Sequence, residues 1–132
     1  MQTFDITSDQ IKQLREHAKN ANSRTYPEPG GYSVALLTKS GKIFEGVSYK
    51  SDTLTLTMHS EATALAHAAI HGETDVIAIT GPNCHICKQL IWEHAIHTGI
   101  DIQVIIEEND DIKLVPISQQ MPYAWPDENG NH

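Results

Sequence analysis

Residues 57–89 read TMHSEATALAHAAIHGETDVIAITGPNCHICKQ, and the three segments inside this stretch decide the fold. A helix should start near His59, because Ala62, Leu65, Ala66, Ala69 and Ile70 recur at helical spacing as a buried stripe. Gly72 is placed to end it. Asp75–Thr80, DVIAIT, is short and continuously apolar, the pattern of a strand covered on both faces. A second helix is expected from about Cys84 to His97, with Gly99 as its C-cap. In an α/β layer, two helices that follow parallel strands begin on the same sheet edge. His59 and Glu61 at one helix start should therefore meet Cys84 and Cys87 at the next.

Working outward, Ser8 is the expected N-cap of a first helix carrying Ile11, Leu14, Ala18 and Ala21 on one face. Thr25–Gly31, TYPEPGG, is a loop, since its prolines and glycines break any period. Two β-rich runs then flank Lys39-Ser40-Gly41-Lys42 as a hairpin. Towards the C-terminus, Ile102–Glu107 and Ile112–Ile117 read as strands, and the acidic run between them as a turn. A parallel crossover needs about a dozen residues or more, so these last two strands should pair antiparallel. The order α-β-β-α-β-α-β-β predicts one α/β sandwich, with helices packed on a five-stranded sheet over residues 1–132 and a loose tail from about 126.

The chain has 132 residues and a net charge of −8, with nine Lys and Arg scattered along it. Phosphate-backbone binding relies on clustered cations, so a nucleic-acid polymer is a poor partner. No apolar run reaches the roughly 20 residues of a membrane-spanning helix. The start, MQTFDITSDQ, has no basic-then-apolar signal pattern, and a cytoplasmic location is expected. In a reducing compartment, the two cysteines suggest a metal site or a redox pair before a structural disulfide.

Two thiolates and one imidazole are three good zinc ligands, with a fourth position left open in the manner of a catalytic site. Zinc lowers the pKa of water to about 7. Glu61, two residues from His59, lies within reach without having to coordinate, and a carboxylate there can carry a proton. A thioredoxin-like redox pair would also open a helix with Cys-x-x-Cys, but it leaves His59 and Glu61 unexplained. His67 and His71 lie one turn apart with no third ligand in sight, and read as a solvated helix face.

His-x-Glu followed by Pro-Cys-x-x-Cys is the signature of zinc-dependent nucleobase deaminases, and this chain resembles the cytidine deaminase superfamily over most of its length. VALLTKSGKIFEGV is similar to that family's first hairpin, CHICKQLIWEHA to its Cys-Gly-x-Cys-Arg-Gln helix, and MPYAWP to its C-terminus. The resemblance implies a three-layer α-β-α sandwich with a mixed sheet whose last two strands are antiparallel, as in the free-nucleoside and blasticidin-S deaminase-like members. It implies one Zn2+ per chain on His59, Cys84 and Cys87, with Glu61 as the catalytic proton carrier. It further implies hydrolysis of cytidine or deoxycytidine to the uridine form plus ammonia, and a homo-oligomer, tetramer or dimer.

The chain also departs from the family pattern. His59-Ser60-Glu61 stands where free-nucleoside members have Cys-Ala-Glu, and Asn83 intervenes between Pro82 and the first Cys. Ser48, Tyr49 and Lys50 fall where the family's Asn-x-Glu holds the ribose hydroxyls, and a Lys cannot accept hydrogen bonds from a sugar. Gly30 falls near an expected aromatic residue. Ser48, Lys50, Ser60, Asn83 and Trp125 are the candidate substrate contacts. A modified nucleoside, a free base or another aminated ring is the alternative substrate. A non-catalytic, zinc-stabilised nucleoside-binding module and a thiol oxidoreductase are the competing classes.

Overall fold

The computed structural model describes residues 1–81 and 83–131. Pro82 of the loop before Cys84 and His132 of the tail, both part of the readings above, lie outside the described residues. Three helices and five strands follow in the order α1 (Ser8–Ala21), β1 (Ser33–Thr38), β2 (Ile43–Val47), α2 (Ser60–Ile70), β3 (Val76–Thr80), α3 (His85–Thr98), β4 (Gln103–Glu108) and β5 (Asp111–Pro116). Thr7, not Ser8, caps α1. Its hydroxyl accepts from the Gln10 amide at 3.1 Å while the Gln10 side chain accepts from the Thr7 amide at 2.9 Å. The TSDQ run is thus a capping box, which satisfies two otherwise unpaired donors at once.

The sheet order is β2-β1-β3-β4-β5. β1 is antiparallel to both β2 and β3, so those two run in the same direction on either side of it. β4 is parallel to β3, and β5 returns antiparallel to β4 as the short acidic link requires. Asn109 and Asp110 make that turn, both at positive φ, which short polar side chains tolerate and a two-residue hairpin demands.

The continuous apolar character of β1 has a direct cause. Val34 and Leu36 face a core shared with Leu65 and Ala68 of α2 and Ile91, Trp92 and Ala95 of α3. Ala35 and Leu37 face the opposite core with Leu14 of α1 and Ile77 of β3. One helix covers one face and two cover the other, which makes three layers. Among the described residues, no helix is long and apolar enough to cross a membrane.

α2 is rotated from the expected stripe. Its buried residues are Ser60, Glu61, Ala64, Leu65 and Ala68, whereas Ala66 and Ala69 are exposed and Ile70 is 83% exposed. Alanine is small enough to sit on any face, so an alanine-rich helix has little periodicity of its own to orient it. Two contacts from β2 do so instead. The Thr63 hydroxyl accepts from the Val47 amide at 2.9 Å and donates to the Val47 carbonyl at 2.8 Å. Gly46 packs directly beneath the helix, so close that a Cβ there would run into the Ser60 carbonyl and Ala64. Thr63→Val keeps the shape and removes both bonds. It should cost about 1–3 kcal/mol, read as a lower urea midpoint with an unchanged slope.

The tail is held further than expected. Gln89 of α3 donates to the Trp125 carbonyl and the Trp92 indole to the Pro126 carbonyl, both at 2.7 Å, and Pro126 is buried. Asp127 then closes a turn onto the amides of Asn129 and Asn131. These bonds need α3 and the tail side by side, an arrangement that local composition does not encode.

Candidate metal centre

His59 is the N-cap residue of α2 and Cys84 that of α3. Because β2 and β3 run the same way, both helices start from the same sheet edge, and their N-termini converge there. His59 Nδ1 lies 3.4 Å from Cys84 Sγ and 3.3 Å from Cys87 Sγ. One ligand atom from each of the three lies within 4.8 Å of the others, and neither sulfur is in a disulfide. In a tetrahedral zinc site, a thiolate at 2.3 Å and an imidazole at 2.0–2.1 Å stand about 3.5 Å apart. The three residues therefore fit a zinc ion in donor type and in spacing.

A second observation supports that fit. Glu61 is fully buried, and its Oε1 accepts from the Ser60 hydroxyl at 2.9 Å. Its Oε2 is buried too and has no hydrogen-bond partner among the described residues. A buried carboxylate oxygen facing no donor is destabilising. Burial, reinforced by the Cys84 sulfur and the Glu61 charge, also pushes the Cys87 thiol well above its usual range. That direction opposes the preference of a helix N-terminus for thiolate. A dication held by His59 and the two sulfurs would remove both conflicts, since it would favour the ionised sulfurs and offset the buried negative charge nearby.

A cavity of about 680 Å³ opens onto this centre. His59, Ser60, Glu61 and Cys84 line it, together with Ser48, Lys50, Tyr32 and Met58. Ser48, Lys50 and Ser60, three of the candidate contacts, thus border the cavity, although the Ser60 hydroxyl is engaged with Glu61. Asn83 and Trp125 are not in its lining. Asn83 adopts φ 63° immediately before Cys84, and its Oδ1 is buried without a partner among the described residues. Trp125 is 61% exposed beside α3.

Sequence reasoning passed over Gly46, Thr63 and the cavity-lining Leu54, Thr57 and Met58. A glycine inside a strand does signal close backbone approach, so IFEGV carried a readable hint. Thr63, Leu54, Thr57 and Met58 carried none. They matter only through the partners that folding brings to them.

The sequence model of the cytidine and deoxycytidylate deaminase zinc-binding region matches residues 8–100. A cytidine deaminase of Halalkalibacterium halodurans is 30% identical over 107 residues, covering 74% of this chain and 79% of that protein. A cytidine deaminase of Shewanella woodyi is 27% identical over 97 residues, which are 70% of this chain but only 31% of that longer protein. Among solved structures, a cytidine deaminase of Burkholderia pseudomallei superposes with a TM-score of 0.71 at 25% identity, covering 91% of this chain and 100% of that one.

Proposed function

The chain belongs to the cytidine and deoxycytidylate deaminase zinc-binding family, and from that membership we propose that it hydrolyses the exocyclic amine of a cytosine-like ring, with cytidine or deoxycytidine as the leading substrate. The observation that carries this reading is the convergence of His59, Cys84 and Cys87 beside a buried Glu61 whose Oε2 is left open. His59, Cys84 and Cys87 would hold a zinc ion, which would supply the Lewis acidity that makes water acidic at neutral pH.

The protein's own groups do the rest. Glu61 Oε2 receives a proton as the water oxygen bonds to the amine-bearing carbon, and passes it to the ring nitrogen. A second proton taken from the water oxygen travels by the same carboxylate to the departing amine. The carbon–nitrogen bond breaks, ammonia leaves, and Glu61 is again ionised. The hydrogen bond from Ser60 to Oε1 holds the carboxylate and leaves Oε2 unpartnered among the described residues. Ring-sized space is present in the cavity, whose lining includes Met58, Leu54 and Tyr32.

Tyr32, Leu54 and Met58 of the cavity lining are exposed, which supports a homo-oligomer, tetramer or dimer, that covers them. Two unbridged cysteines suit a reducing, cytoplasmic setting. Protein purified without chelator should carry one zinc per chain and release ammonia from cytidine or deoxycytidine. A dialysed, metal-free sample should lose that activity and regain it with added zinc. Stoichiometric zinc without turnover of any aminated pyrimidine, purine or nucleoside would reduce the protein to a binding module. Absence of zinc would favour the thiol oxidoreductase.

A further inference from the structure

The far end of α2 carries two more metal-type ligands. His67 and His71 stand four residues apart, in the run HAAIH, and both are exposed. Histidines at i and i+4 of a helix share one face and can grip one ion between them. His59 starts the same helix eight residues before His67, about 12 Å along the axis at the helical rise. An ion at this end is therefore separate from one at the cysteines.

Hydrogen bonding sets the tautomer of both rings. His67 Nδ1 lies 2.9 Å from the Glu45 carbonyl oxygen of β2, and His71 Nδ1 lies 3.0 Å from the His67 carbonyl oxygen. A carbonyl only accepts, so each Nδ1 carries the hydrogen and donates it. In the neutral rings the lone pair is then on Nε2 of both residues. Metal-binding histidines are held in this way, with the other ring nitrogen donating to a carbonyl or carboxylate that fixes the ring.

Spacing and surroundings agree. Two imidazoles on one ion, with metal–nitrogen bonds of about 2 Å at a near-tetrahedral angle, place their ring centroids about 5 Å apart. The centroids of His67 and His71 are 5.3 Å apart. The Phe44 ring flanks both, its centroid 5.2 Å from that of His67 and 5.3 Å from that of His71. His67 lies in the last turn of α2 and His71 is its C-cap, where the partial negative charge of the helix end favours a cation.

Among the described residues no third His, Cys, Asp or Glu joins the pair. The Glu45 carboxylate is engaged by Arg24 and His17 instead. Two imidazole nitrogens suit Ni2+, Cu2+ or Zn2+, whereas Mg2+ and Ca2+ take oxygen ligands.

We propose that His67 and His71 form a second metal site, a two-imidazole chelate for a borderline divalent cation, bound through both Nε2 atoms with water completing the shell. The site stands independently of the deaminase reading, since none of its ligands borders the catalytic cavity.

The test uses nickel as the probe. Tag-free, zinc-loaded protein is titrated calorimetrically with NiCl2 in a buffer that does not bind metal, and released zinc is measured in parallel. One Ni2+ per chain should bind while the zinc stays in place. His67→Gln and His71→Gln should each weaken that binding by about tenfold or more, since even losing a group that merely supports a ligand costs that much. His97→Gln removes an exposed histidine of α3 and should leave nickel binding unchanged. Both site variants alter exposed side chains, so their thermal melts should stay close to the parent's. Absence of nickel binding, binding that survives either site variant, or nickel uptake matched by zinc release overturns the proposal.

Discussion

Glu61→Gln should yield a folded, zinc-loaded protein whose ammonia release is lower by roughly 10²–10⁴-fold, the usual contribution of a positioned proton-transfer group. The substitution keeps the shape of the side chain and the acceptor oxygen for Ser60, yet removes the basic oxygen that has no partner among the described residues. Glu61 is not one of the three converging ligands, so metal content should be unchanged. Stability should hold or rise. In the metal-free protein a buried oxygen without a donor is replaced by a neutral group, and one source of the upward push on the Cys87 thiol disappears. Such a gain is the common consequence of neutralising a group kept for chemistry and not for folding. Metal analysis, a thermal melt and an ammonia assay on the same preparation are sufficient. Turnover within a few-fold of the parent would remove Glu61 from the mechanism, and loss of zinc would make its role structural.

Gly46→Val should damage the protein more broadly. A Cβ at Gly46 would meet the Ser60 carbonyl, with the Ala64 amide nitrogen and Cβ each at 2.5 Å. None of these is the tip of a flexible side chain, so relief requires α2 to move off β2. That movement carries His59 and Glu61 with it, because they stand at the start of the helix. Overpacking against backbone costs typically 1–3 kcal/mol and sometimes more, and a valine here should fall at or beyond about 3 kcal/mol. Zinc content should fall together with stability. Gly72→Ala provides the contrast at the other end of the same helix. Gly72 has open space around its Cβ position and φ 73°, so alanine there meets backbone strain alone, about 1 kcal/mol, with zinc retained. If Gly46→Val keeps its zinc and melts like Gly72→Ala, close packing at β2 does not set the position of α2.

The elements that carried chemistry were legible early because their information is local. Cys84 and Cys87 are brought together by three residues of spacing across a helix start, and His59 and Glu61 by two. The antiparallel return of β5 followed from chain length alone, since the link before it is too short for a crossover. The helix start at Thr7 was missed by one residue, as hydroxyls at adjacent positions compete for one cap, and the Gln10 side chain decided between them.

From the sequence alone came the element order, the Cys-x-x-Cys and His-x-Glu pairs that are the candidate site, and the antiparallel final hairpin, written in short-range spacing and in runs of buried apolar residues. Tertiary structure alone decided which face of α2 turns inward, that Lys50 borders the cavity while Trp125 lies outside its lining, and that Thr63 and Gly46 hold the helix in place. The physical reason is range. A metal-ligand motif or a hairpin is specified by the few residues within it, whereas an alanine-rich helix has no strong face of its own, and a cavity wall exists only where distant segments close on one another.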